Sequence, residues 1–287
     1  MRGEWSLVAD IGGTNARFSA VPVGALESQH IFHYSVEKHP QFSDLLTDVL
    51  RDIAAATGWD SAPKSACLAV ACPADNEEIS FTNSHWQFTK TELLQLLNCE
   101  QLAVINDFEA VAHGITQLND HDLVQIGGEK PLVERPIGIL GAGTGLGVAG
   151  LIPHGDSYKV IDTEGGHADY APIDNHQAAV VDVLRQQYGR VSLERLLSGK
   201  GLQTLEMFCE GLGAAAGNLA LTLGAKGGIY LAGGVVPKFQ AFFIASQFRH
   251  KFEDKGRFVN YLKPIPVFLV VCENLGLLGA AKKLIHR

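Results

Sequence analysis

The residues best placed to do chemistry sit where apolar runs end in glycine. Leu7, Val8 and Ala9 lead into Asp10, then Gly12-Gly13-Thr14-Asn15, and a second apolar run from Ala16 to Val23 follows. The pattern predicts a short strand, a tight Gly-Gly-Thr tip and a returning strand. Glycine reaches φ > 0 at little cost and lets backbone N–H groups come close to a ligand. Successive N–H groups in such a turn form an anion-binding nest. Asp10 beside it would repel a bare phosphate but suits one carrying a divalent cation. An ordinary Gly-rich hairpin would show the same spacing.

A second Gly-Thr tip follows later, at Gly141-Ala142-Gly143-Thr144-Gly145-Leu146-Gly147, again between apolar runs, and a third glycine pair, Gly233-Gly234, ends the run Gly227 to Ala232. The second tip has no lysine, so it is not a P-loop of the GxxxxGK[ST] kind. No helix follows its glycines directly, which argues against a dinucleotide-binding turn. Two Gly-Thr hairpins, each closing a strand, suggest duplicated lobes that clamp one polyphosphate between them.

The apolar run Leu102 to Ile105 ends in Asn106 and Asp107 at the start of an Ala-containing helix. The carboxyl end of a strand is where α/β sheets hold ligand groups. Asp107 could be a helix N-cap or a general base beside an amide that orients a hydroxyl substrate. Glu164 and His167 flank Gly165-Gly166. Two residues make an incomplete metal site, and a grip on vicinal hydroxyls is the preferred reading. The polar loop Thr82 to Trp86 is either a packed corner or one wall of a polar-ligand pocket.

The elements that must position these groups alternate between strand and helix. Phe42, Leu45, Leu46, Val49, Leu50 and Ile53 recur at helical spacing and predict a helix over 42–56. Thr89 and Glu92 form a capping box at the head of another helix. Ala66 to Cys72 reads as a strand covered on both faces. Residues 205–223 predict a helix whose Gly and Ala content requires close packing. A helix is expected from Pro237 to Phe248 and a solvated loop from Phe252 to Phe258.

Composition narrows the classes. Hydrophobic residues are 46% and charged residues 19% of 287, enough for a substantial core. A net charge of −8 argues against a general nucleic-acid or anionic-membrane binder. No apolar run reaches the ~18 residues of a membrane span. Five cysteines without a close CxxC pair make a disulfide framework or structural zinc site unexpected and point to the cytoplasm.

Taken together, Asp10-Ile11-Gly12-Gly13-Thr14-Asn15, Ile105-Asn106-Asp107-Phe108, Gly141 to Gly147, Glu164-Gly165-Gly166-His167 and Leu231 to Pro237 resemble the bacterial glucokinases of the actin-like ATPase superfamily. The resemblance spans nearly the whole chain. The Cys-rich zinc motif of the repressor/kinase branch of sugar kinases is missing. The resemblance implies an α/β, two-lobed actin-like ATPase (ribonuclease H-like) fold with a cleft. The expected lobes are 1–106 and 107–287, with the C-terminal helix packing back on the first. It implies ATP-dependent phosphorylation of glucose at its 6-hydroxyl, with another hexose or a non-catalytic sensor as alternatives. By the same resemblance Asp107 takes the hydroxyl proton, and Asn106, Glu164, His167 and Glu194 hold the other hydroxyls. Ala9, Asp10, Ile11, Gly12, Gly13 and Thr14, with Gly143, Thr144, Gly145, Gly233 and Gly234, hold ATP. Asp10 holds Mg²⁺ through water. Expected partners are glucose, ATP and a second copy of the chain, with no nucleic acid or membrane.

One departure stands out. Relatives carry a few dozen more residues between the segment 197–202 and the Phe208-Cys209 helix, where Thr204 to Phe208 here makes a direct join. The expectation is that the written sequence closes up a loop there; a true deletion would put nucleotide affinity in question.

Overall fold

The first hairpin forms as its spacing requires. β1 (Trp5–Ile11) and β2 (Asn15–Pro22) pair antiparallel, with Asp10 directly opposite Arg17. In a strand, alternate side chains share a face, and the apolar ones of β1 and β2 are buried. The structure is a computed structural model, and residues 4–28, 30–81, 84–199 and 204–285 are described. Two compact units divide the chain: Met1–Gln117 with Glu273–Arg287, and Leu118–Cys272.

In the first unit, β3 (Ile31–Ser35) pairs with β2, and α1 (Phe42–Thr57) buries Phe42, Leu45, Leu46, Val49 and Ile53. Each such side chain is worth about 1.5–3 kcal/mol of burial. Gly58 ends the helix at φ 73°, a conformation a side chain would strain. β4 (Ser65–Val70) runs parallel to β1 and is almost wholly buried, as its continuous small-apolar run predicts. β5 (Glu78–Ser80) and β6 (Gln87–Thr89) make a small hairpin. α2 (Lys90–Leu97) then starts from the Thr89/Glu92 capping box. β7 (Gln101–Asn106) lies parallel to β4, giving the order β3-β2-β1-β4-β7, and α3 (Asp107–Ile115) follows it directly.

The second unit repeats this plan. β8 (Leu123–Gln125) lies at one edge. β9 (Ile137–Ala142) and β10 (Leu146–His154) flank the second Gly-Thr tip, and β11 (Ser157–Thr163) pairs antiparallel with β10. α4 (Asn175–Tyr188), α5 (Leu193–Leu197) and α6 (Leu205–Leu223) precede β12 (Ile229–Ala232), which is parallel to β9. α7 (Gln240–Ala245), α8 (Phe248–Glu253) and α9 (Val259–Leu262) lead to β13 (Val267–Val270). The order is β11-β10-β9-β12-β13-β8.

Two expectations are corrected here. The helix from Pro237 to Phe248 is interrupted: Ser246 is extended, and its hydroxyl donates to the Phe243 carbonyl and accepts from the Phe248 N–H, closing α7 and opening α8. Phe252 is not in a solvated loop. It is fully buried on α8, whose carbonyls at Phe248 and Phe252 lie where Cβ atoms on Gly213 and Gly217 of α6 would be. The glycines of α6 are therefore the packing surface for α8.

The chain returns to the first unit through α10 (Leu275–Ile285), which packs on α3, β1 and β4. Gly279 abuts the Ala110 carbonyl and Gly114 abuts Leu275, with no space for a Cβ at either. Lys283 Nζ donates to Glu109 Oε1 at 2.7 Å. This packing keeps α3 in the first unit, which runs past the expected break at residue 106 to Gln117.

Candidate active site

At the end of β7 the N-cap falls on Asn106, not Asp107. Asn106 Oδ1 accepts from the N–H groups of Phe108, at 2.7 Å, and Glu109. Its amide Nδ2 donates to the Cys72 carbonyl at 3.4 Å. Asn106 is buried, so its side chain ties β7, α3 and the end of β4's segment together. Asp107 is the first residue of α3 and half-buried. Burial pushes the Cys72 thiol up to about 11, and the charge of Asp107 adds to it.

Asp10 lies on β1 just before the first glycine tip. Its Oδ2 accepts from Arg17 Nη1 at 3.1 Å. Burial pushes its carboxyl above the ordinary carboxylate value, against the pull of Arg17. The first turn of α10 covers it: a Cβ on Gly276 would come 2.9 Å from Asp10 Cγ. Ala9 and Ile11 are fully buried, so only their backbone is available to a ligand. Gly12 donates its N–H to the Asn15 carbonyl at 2.9 Å, which closes the turn. Gly13 and Thr14 line a cavity of about 330 Å³ with Val36, Glu37, Ser84 and His85. Trp86 is not a wall of it. It is buried against Phe42 and Phe81, and its Nε1 donates to the His39 carbonyl. Thr82 and Asn83 lie outside the described residues.

In the second unit the tip at Gly143, Thr144 and Gly145 is closed by the Gly143 N–H on the Gly145 carbonyl at 2.9 Å. Three other groups gather on it. Glu194 of α5 accepts at Oε2 from the Leu146 N–H at 2.9 Å. The Gly199 N–H donates to the Gly143 carbonyl at 2.8 Å. The Val235 N–H donates to the Ala142 carbonyl, and Gly233, at φ 89°, rests on Ala142 where a Cβ would collide. Gly233 and Gly234 are exposed beside it.

Glu164 and His167 are exposed, with His167 Nε2 3.9 Å from Glu164 Oε2. The turn between them seats Gly166 on the Leu146 carbonyl. Arg190 fixes the segment by donating to the His167 carbonyl at 2.7 Å and to Asp169 at 2.6 Å. Glu164, His167 and Glu194 thus border one backbone stretch, 143–146.

The described residues hold no group of three or more His, Cys, Asp or Glu arranged around a metal. A magnesium ion that keeps most of its waters needs no such group.

Arg17, Gly199 and Arg190 were not singled out from the sequence. Arg17 had a readable signal, because a tip closing between Ile11 and Asn15 places it opposite Asp10. Gly199 and Arg190 act through contacts that no local pattern announces.

The glucokinase family model matches residues 7–205 and 202–286. The chain is 40% identical to a glucokinase of Tolumonas auensis, covering 96% of each chain, and 37% identical to that of Escherichia coli K12, covering 98% of this chain and 97% of the other. The crystal structure of a glucokinase from an Antarctic psychrotroph superposes with a TM-score of 0.84 at 31% identity, covering 99% of each. The fold is the two-lobed actin-like ATPase fold. The Tolumonas alignment runs over 313 residues against 287 here, and the two matched stretches meet at 202–205. Those two stretches meet at the α5–α6 junction, where the shorter join is expected and where 200–203 lie outside the described residues. On its sequence, its fold and its near-complete coverage, the chain belongs to the glucokinase family.

Proposed function

We propose that the chain transfers the γ-phosphoryl group of ATP to the 6-hydroxyl of glucose, with Asp107 as general base. The observation that supports the residue assignment is the place of Asp107: it is the first residue of α3, directly after the carboxyl end of β7, with Asn106 as the N-cap. A carboxylate in that place takes the 6-hydroxyl proton as the oxygen attacks the γ-phosphorus. The bond from phosphorus to the bridging oxygen breaks, and ADP leaves with the electron pair. Phosphoryl transfer needs alignment and charge neutralisation more than covalent catalysis. In this reading the backbone at Gly12, Gly13 and Thr14 serves phosphate in the first unit. Gly143, Thr144 and Gly145 do so in the second, with Gly233 and Gly234 beside the nucleotide.

Glu164, His167 and Glu194 bond the sugar hydroxyls. Asn106 is already committed to α3 and Cys72, so its part is to hold Asp107's helix at least as much as to touch sugar. Magnesium, bound at Asp10 with the phosphates, would neutralise their charge. The reading includes a cytoplasmic location and a homodimer. The first is supported by cysteines that are all free thiols.

The test is turnover of glucose, fructose and mannose with ATP, ADP and polyphosphate in parallel, read as product sugar phosphate. Glucose with ATP is expected to exceed every other pair. A site built to bond each hydroxyl rejects an analogue that leaves its groups unpaired. A fructose or mannose preference would replace the glucose reading, and no turnover with any pair would leave the sensor alternative.

A further inference from the structure

Glu194 is expected at the sugar, yet its carboxylate is anchored at the base of the second phosphate hairpin. Its Oε2 accepts the Leu146 N–H at 2.9 Å. A Cβ on Gly145 would run into that same oxygen. On the other strand of the tip, Gly199, just beyond α5, donates to the Gly143 carbonyl at 2.8 Å. One short element therefore holds both strands of the tip, and the Leu146 carbonyl faces Gly166 of the Glu164–His167 turn.

A tip flanked by glycines is conformationally permissive. Its N–H groups can serve a phosphate only if something aims them. A bond from a charged carboxylate to a backbone N–H is about twice as strong as a neutral one. A carboxylate has about four acceptor sites on two oxygens, so engagement of Oε2 leaves capacity for a sugar hydroxyl.

We infer that Glu194 is a positioning residue for the nucleotide's phosphates, acting through the Leu146 N–H, in addition to its proposed part at the sugar. The inference rests on the kinase reading above. It makes one side chain common to both substrates' sites, so its removal weakens ATP binding even when no sugar is present.

The experiment is equilibrium binding of magnesium–ATP to the full chain without sugar, and of glucose without nucleotide, for the unmodified protein, Glu194→Ala and Glu194→Gln. Losing a hydrogen bond to a charged group is expected to weaken ATP binding by roughly tenfold or more in Glu194→Ala. Glu194→Gln keeps an amide oxygen that accepts from the same N–H. It should lose only a few-fold in ATP affinity, clearly less than Glu194→Ala, while glucose affinity falls. Amide exchange at Leu146 should quicken in the alanine variant and not in the glutamine one. Should Glu194→Ala not fold, Glu194→Asp keeps the charge but lacks the reach, and should lose ATP affinity likewise. Unchanged ATP affinity in a folded Ala or Asp variant overturns the inference alone. An unmodified chain that binds neither ATP nor glucose overturns the kinase reading and the inference with it.

Discussion

Asp107 and Asp10 are both acids at the end of a strand, and their surroundings differ. Asp107 opens α3, whose first N–H groups are taken by Asn106. Asp10 is half-buried beneath the first turn of α10, with desolvation raising its carboxyl and Arg17 only partly countering. A carboxyl whose folded value is raised costs stability while ionised, and that cost vanishes once pH falls below the unfolded value of 3.8. Asp10→Asn is therefore expected to melt higher than the unmodified chain at pH 7, the gap closing as pH falls towards 4, while turnover drops. A lower melting temperature at pH 7 would show that the Arg17 pair outweighs burial. At this scale the sequence marked Asp10, Asp107, Glu164 and His167 as candidates, because each stands at a glycine turn or a strand end. It could not divide the work between Asn106 and Asp107. Either residue type can cap a helix, and only the backbone path selects Asn106.

The elements that hold these residues were legible wherever an apolar period was strong. α1, α2 and α6, and the strands flanking both glycine tips, formed close to where spacing placed them. Legibility failed where tertiary contact overrode pattern. Ser246 breaks a helix by bonding its neighbours' backbone, and Phe252 is drawn into the core by the flat face of α6. β11 carries no readable apolar period, because most of its residues are exposed, Ile161 among them. The seat of α3 on α10 is a contact of the same hidden kind, glycine against backbone. Gly279→Ala drives a methyl into the Ala110 carbonyl. Overpacking of this kind costs about 1–3 kcal/mol, and each kcal/mol lowers Tm by roughly 2–4 °C in a domain of this size. Because α3 begins at Asp107, kcat should fall further than the small loss of folded protein explains. Full kcat at a lowered Tm would mean the seat of α3 serves stability only.

The two larger sheets share one plan: three antiparallel strands around a glycine tip, continued by two parallel strands, with antiparallel β8 added at the edge of the second. A single glycine hairpin carries little information. The second copy is what turned two turns into a phosphate-binding reading, and the relatives at 37–40% identity carry it to glucokinase. The central claim is that Asp107 removes the proton from a sugar hydroxyl during phosphoryl transfer from ATP. Its most direct test is kcat for glucose phosphorylation by the unmodified chain and Asp107→Asn, with glucose and ATP affinities measured on both. The account expects kcat to fall by about 10²–10⁴-fold while both affinities stay within a few-fold. Near-normal kcat in a folded Asp107→Asn protein would contradict it.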